Sequence, residues 1–230
     1  MKKTALVIGA SHAGAQVVTS LRQEGWDGDI VVIGEEPHLP YHRPPLSKTF
    51  LAGDKTTAEL AIRPSAFYEK NDIQFRQGRV TAIDRQRQTI TLSDGAELAY
   101  DKLALCMGAR VRRVELPGSE LKGVHYLRNI ADVEGIQAEL AQAKTAVIIG
   151  GGYIGLETAA SLRKQGLQVV VLEMAERILQ RVTAPELSAF YARVHGEEGV
   201  QIHTGVSVMS LLGDGRVEAV LCGNGAIFPA

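Results

Sequence analysis

Cysteine is nearly absent from this chain. It has two in 230 residues, Cys106 and Cys222, and they form no C-x-x-C pair. The count therefore gives little support to a disulfide framework or a thiolate zinc site. The first 105 residues contain no thiol at all, so they offer neither a redox pair nor a cysteine nucleophile. Cys106 ends an apolar run that reads as a buried strand, where burial raises a thiol's pKa and makes it a packing residue. Excess charge is missing too. The 25 basic and 26 acidic residues leave a net charge of −1, which gives no bulk attraction to nucleic acid or to an anionic membrane. No apolar run reaches the roughly 18 residues that a membrane-spanning helix needs. The start, MKK before an apolar run, imitates a secretory signal, but Gly9, Ser11, His12 and Gly14 interrupt it where the apolar core of a signal continues. The expectation is a cytoplasmic protein. Histidine offers no metal site: Pro40 breaks the helix that would align His38 with His42, and His12 only fills a turn.

What is present is glycine in two particular places. The run ALVIGASHAG (residues 5–14) and the run AVIIGGGYIGLE (146–157) each place a glycine-rich turn between an apolar strand and a helix. In the second, Gly150, Gly152 and Gly155 complete G-x-G-x-x-G. The first glycine permits the tight turn, the second lets a pyrophosphate approach the backbone, and the third lets helix pack on strand. Ile154 lies inside the same turn. The helix start then offers free N–H groups and a partial positive charge to phosphate. Glu173 follows at the end of the next strand, placed to accept from both hydroxyls of an adenine ribose and to repel a 2′-phosphate, which favours NADH over NADPH. The first motif reads Gly9-x-Ser11-x-x-Gly14. Its serine adds a side chain where the phosphate passes, with a hydroxyl able to donate to it. The acid after its second strand is Glu35, with Glu36 as the fallback.

With 45% hydrophobic and 22% charged residues, the composition is that of a globular protein of one or two domains. Along the chain the pattern predicts strand 4–8, helix 13–24, strand 29–33, a proline-rich loop 37–45 that is neither helix nor central strand, and a short helix 64–70. Strands 73–76, 79–84, 88–92 and 97–100 follow, with a hairpin turn at 93–95, and an apolar strand 102–107 closes at Gly108. A linker, 116–129, and a helix, 131–143, lead to a second copy of the same order: strand 145–149, helix 153–165, strand 168–173, helix 185–197 and strands 200–203, 206–212 and 216–222. The expected fold is α/β, two Rossmann-like dinucleotide-binding domains divided as 1–115 and 116–230. The repeat also predicts an imbalance. In the first half an apolar strand follows the meander and lies beside the first strand; in the second half the chain stops at that point. The second domain is therefore expected to be incomplete, in a chain truncated before its last parallel strand.

The loop PYHRPPLSK (40–48), both glycine motifs and the run GVHYLR (123–128) carry a resemblance. The chain closely resembles the FAD-dependent, NADH-using ferredoxin reductases of bacterial oxygenase systems, relatives of putidaredoxin and rubredoxin reductases. The resemblance implies a glutathione reductase-like fold in which each domain has a three-layer ββα arrangement. It implies FAD phosphates at Ala13 and Gly14, the FAD ribose at Glu35, its adenine at Val80, the flavin ring beside Arg43 and Lys48, and the ribityl-phosphate chain near Arg128. It also puts Glu157 toward the nicotinamide, able to pair with Lys48. A fixed cation there would stabilise the charge that hydride brings to the flavin. Where the family often has Ala-Thr-Gly, this chain has Cys106, Met107 and Gly108. Family members also continue considerably beyond residue 230, so weak FAD retention and little NADH-dependent dye reduction are expected of this chain. The implied activity is electron transfer from NADH through FAD to a ferredoxin or rubredoxin. Two alternatives stay open: a nucleotide-binding fragment without activity, or another NADH oxidoreductase of the same fold, such as a nitrite reductase large subunit or an apoptosis-inducing-factor-like protein.

Overall fold

Strand β1 (Thr4–Ile8) shows how the first half is built. Its side chains alternate: Ala5 and Val7 enter one apolar cluster, Leu6 and Ile8 another on the opposite face. A strand buried on both faces belongs in the middle of a parallel sheet. The computed structural model describes residues 2–230 and divides them into two units. The first comprises Met1–Arg43 with Thr57–Arg110, and the second Pro44–Thr56 with Val111–Ala230.

In the first unit, α1 (His12–Gln23) leads to β2 (Asp29–Gly34), which lies parallel to β1 with Thr4 opposite Asp29. Helix α2 (Ser65–Lys70) precedes β3 (Ile73–Gln77). An antiparallel meander follows, β4 (Val80–Asp84), β5 (Thr89–Leu92) and β6 (Glu97–Ala99), and β7 (Lys102–Leu105) returns beside β1. The parallel sheet has the order β3-β2-β1-β7. Val18 of α1 and Tyr68 of α2 cover its Ala5, Val7, Ile30 and Val32 face. Ile90 and Leu92 of the meander cover Leu6, Ile8 and Ile33 on the other. Helices, parallel sheet and antiparallel sheet thus make the three expected layers.

The second unit repeats the plan. Helix α3 (Ile130–Leu140) starts from a capping box: Asn129 Oδ1 accepts from Asp132 N, and the Asp132 carboxylate accepts from Asn129 N, satisfying two of the donors a helix start leaves open. Then come β8 (Thr145–Ile149), α4 (Tyr153–Lys164), β9 (Gln168–Leu172), α5 (Pro185–Glu197) and β10 (Val200–His203). The meander is β11 (Val208–Leu212), β12 (Ala219–Cys222) and β13 (Ile227–Pro229). Leu172 packs with Leu211, Val220 and Cys222 on the meander side. The parallel sheet, β10-β9-β8, has three strands where the first unit has four, as the internal repeat leads one to expect. β8 is paired on one edge only, and along it runs a groove of about 900 Å³ lined by Ile148, Ile154, Thr158, Leu162 and Val220 among others.

Most elements lie within one or two residues of their expected ends. β7 stops at Leu105 rather than residue 107. The second meander is shorter than expected, with a register shift between Val208 and Ser210. β13 was not anticipated, because a three-residue strand ending in proline has no readable period. The proline-rich loop contains a 3-10 turn at Pro44–Ser47, a form that tolerates proline in its first positions. The division of the chain also differs from a single cut after residue 115, since Pro44–Thr56 joins the second unit. Gln137 of α3 donates to the Phe50 carbonyl, while Ser161 and Gln165 of α4 donate to those of Ser47 and Leu51. Such an exchanged segment is invisible to a reading that follows contiguous runs.

Candidate dinucleotide sites

The first glycine turn is held by close backbone approach. Gly9 has φ +114°, and a Cβ there would lie 2.2 Å from the Cys106 carbonyl oxygen; a Cβ on Gly14 would lie 2.1 Å from the Gly9 oxygen. Neither position admits a side chain. Ser11 is the N-cap of α1, yet no side chain caps the helix, so the first-turn N–H groups around His12, Ala13 and Gly14 remain available to an anion. The Ser11 hydroxyl donates to the Cys106 carbonyl at 2.9 Å. That bond ties the turn to the end of β7. Burial pushes the Cys106 thiol pKa up, in keeping with a packing role. Gly108, with φ +65°, is exposed just beyond β7.

The two acids after β2 have separate tasks. Glu36 accepts from Tyr41 Oη at 2.5 Å and from Arg43 at 2.6 Å, and the Arg43 guanidinium lies 4.9 Å from the Tyr41 ring centroid. These contacts brace the start of the PYHRPPLSK loop. Glu35 is exposed, with Arg79 at 3.6 Å and Arg110 at 3.8 Å. Val80 opens β4, half-buried against the meander-side cluster.

One contact escaped the sequence reading. His12 Nε2 and His42 Nδ1 are 3.1 Å apart, thirty residues distant in sequence and without any motif to link them. Burial, His42 and Arg43, in that order, hold the His12 pKa below its ordinary value of 6.5. A histidine depressed on folding adds stability that is present above its unfolded pKa and lost as pH falls through the folded value. Replacing His12 with Asn is therefore expected to flatten the loss of thermal stability below pH 6.5, read from melting temperatures across pH.

The second turn leaves more room. Gly150 has φ +114°, and a Cβ on it or on Gly152 would meet nothing within 4 Å. Gly155 is the packed one, its Cβ position 2.1 Å from the Gly150 oxygen. The N-cap of helix α4 is Gly152, so no side chain caps the helix. Glu173 closes the turn: Oε2 accepts from Gly151 N at 2.7 Å and Oε1 from Ala175 N at 2.8 Å. Ile149, Tyr153 and Ile154 stand about half-exposed around it. Open space above the turn, an uncapped helix start and an acid ending the next strand together fit a dinucleotide.

Glu157, one turn into α4, binds Lys48 Nζ at 2.6 Å. The expected pair is formed, and it is formed within the second unit, because the segment carrying Lys48 belongs there. Arg128 also lies in the second unit; its backbone N–H donates to Asp132 ahead of α3. Ser47, absent from the sequence candidates, donates to Glu157 as well.

A family model for the pyridine nucleotide-disulphide oxidoreductases matches residues 3–230. The chain belongs to this family. A ferredoxin–NAD(P)⁺ reductase of Sphingomonas is 42% identical over 227 residues, which is 98% of this chain and 55% of that protein. Putidaredoxin reductase of Pseudomonas putida is 42% identical over 232 residues, again 98% and 55%. Among solved structures, a ferredoxin reductase from Rhodopseudomonas palustris superposes with TM-score 0.95 at 38% identity, covering 99% of this chain and 56% of that one. The covalent putidaredoxin reductase–putidaredoxin complex gives TM-score 0.95 at 41% identity, with the same coverage. The chain thus spans about half the length of these relatives. Cys106 and Cys222 are both free, one in each unit. No helix among the described residues is long and apolar enough to cross a membrane.

Proposed function

We propose that this chain carries FAD on its first unit and NADH on its second, and passes electrons from NADH to a ferredoxin or rubredoxin. Bound, the two cofactors supply hydride transfer and its division into single electrons. The protein supplies phosphate-binding backbone at the two glycine turns, ribose acceptors in Glu35 and Glu173, and a fixed charge. That charge carries the reading. Lys48 is tied at 2.6 Å to Glu157, on the helix whose start is the second turn. A nucleotide-binding module has no use for a cation immobilised there, whereas a group taking up negative charge does. The absence of a cysteine pair supports an acceptor outside the chain, and the names of the similar reductases support an iron–sulfur carrier. The cytoplasm is the proposed location.

The test is electron delivery from NADH to a [2Fe–2S] ferredoxin by FAD-loaded protein. Lys48→Met is expected to slow NADH-dependent flavin reduction by about 100-fold, with FAD still bound. Flavin reduction unchanged in Lys48→Met would remove the cation from the account.

A further inference from the structure

Ser47 is 4% exposed and lies at the end of the Pro44–Ser47 turn. Its hydroxyl donates to Glu157 Oε2 at 2.6 Å, the same oxygen that holds Lys48 Nζ at 2.6 Å. Its carbonyl accepts from Ser161 Oγ at 2.7 Å. Glu157 and Ser161 are four apart on α4 and so share a face; one serine meets both. Glu157 Oε1 makes no hydrogen bond among the described residues, and its side chain is 32% exposed.

An ion pair this open to solvent does not hold its own geometry. The Lys48 side chain is 47% exposed, and its other polar contact, to the Pro44 carbonyl, is long at 3.4 Å. Exposed lysine–carboxylate pairs are weak and sample many arrangements. A buried hydroxyl donating to an ionised carboxylate is a stronger and more directional constraint. The Ser161 contact cannot supply it, because it fastens the backbone of the loop and does not touch the carboxylate.

We propose that Ser47 is a positioning residue for the Lys48–Glu157 pair. It turns Glu157 so that Oε2 receives both Ser47 and Lys48 while Oε1 faces outward, and it thereby fixes where the ammonium stands. The inference rests on the electron-transfer reading for its purpose, but its first readout does not need that reading.

In cofactor-free protein labelled with ¹⁵N-lysine, the Lys48 ammonium is expected to give a signal partly protected from exchange by the pair with Glu157. Ser47→Ala is expected to abolish its protection and Ser47→Thr, which keeps the hydroxyl, to restore it. Ser161→Ala removes only the backbone tie; it lowers the melting temperature and leaves the Lys48 signal in place. In FAD-loaded protein, Ser47→Ala slows flavin reduction at saturating NADH about tenfold, the worth of one hydrogen bond to a charged group, with little change in NADH affinity. The proposal is overturned if Ser47→Ala leaves the Lys48 signal protected, or if Ser161→Ala disturbs it equally, since loop docking would then be the whole effect. A Lys48 signal that responds to Ser47 in a protein whose flavin NADH does not reduce would uphold the positioning role and sink the electron-transfer reading instead.

Discussion

Gly152→Ala is expected to keep the fold and lose most of the NADH affinity, whereas Gly155→Ala is expected to destabilise the second unit. The two glycines are three residues apart in one motif, and their surroundings set the difference. A Cβ on Gly152 meets nothing within 4 Å, and this N-cap residue has φ −82° and ψ 178°, extended backbone that alanine adopts freely. The new methyl costs the chain almost nothing. In the proposed site it would stand in the path of the pyrophosphate, so NADH affinity is expected to fall about 100-fold by calorimetry, near 2.7 kcal/mol. A Cβ on Gly155 would stand 2.1 Å from the Gly150 carbonyl oxygen, and neither α4 nor the turn after β8 can yield without unpacking the other. That collision destabilises the second unit by about 3 kcal/mol, a fall in melting temperature of roughly 10 °C or more. Equal melting temperatures for the two variants would show that the turn is not packed as described.

Glu173→Ala is expected to weaken NADH binding by about 100-fold and to erase the preference for NADH over NADPH. The carboxylate has two duties in the same place. It accepts from Gly151 N and from Ala175 N, which holds the turn closed, and in the proposed site it would accept from the hydroxyls of a ribose diol and repel a 2′-phosphate. Glu173→Gln weakens both in part. The amide keeps one acceptor oxygen but brings an NH₂ to one of the two backbone donors, so the variant loses part of the NADH affinity and also gains tolerance of NADPH. Calorimetry with both nucleotides reads the two effects. If Glu173→Ala kept its preference for NADH, the acid would be only a brace for the turn.

The parts of this molecule that depend on local backbone chemistry were legible in the sequence. The glycine turns could be read because Gly9, Gly14 and Gly155 stand where any Cβ would strike a carbonyl oxygen, and such a demand leaves no substitute. The layered fold could be read because β1, β2 and their counterparts β8 and β9 are continuous apolar runs after a polar first residue, the pattern of strands in a parallel sheet. Contacts between distant segments were not legible. Nothing in the sequence signals that the Ser11 hydroxyl turns to Cys106, that His12 meets His42, or that Ser47 shares an oxygen with Lys48. Each depends on where a loop is laid down, and the loop at Pro44–Thr56 is laid on α3 and α4 of the second unit. The Lys48–Glu157 pair was anticipated through the family resemblance; charge and spacing alone offer many lysines and glutamates to choose from.

The central claim is that the two glycine turns hold two dinucleotides, one of which reduces the other. Anaerobic rapid mixing of FAD-loaded protein with NADH tests it directly. The account predicts loss of the oxidised flavin absorbance in a single turnover, saturating with NADH concentration and needing about 100-fold more NADH in Gly152→Ala. NADH that binds to the FAD-loaded protein yet leaves its flavin fully oxidised would contradict it.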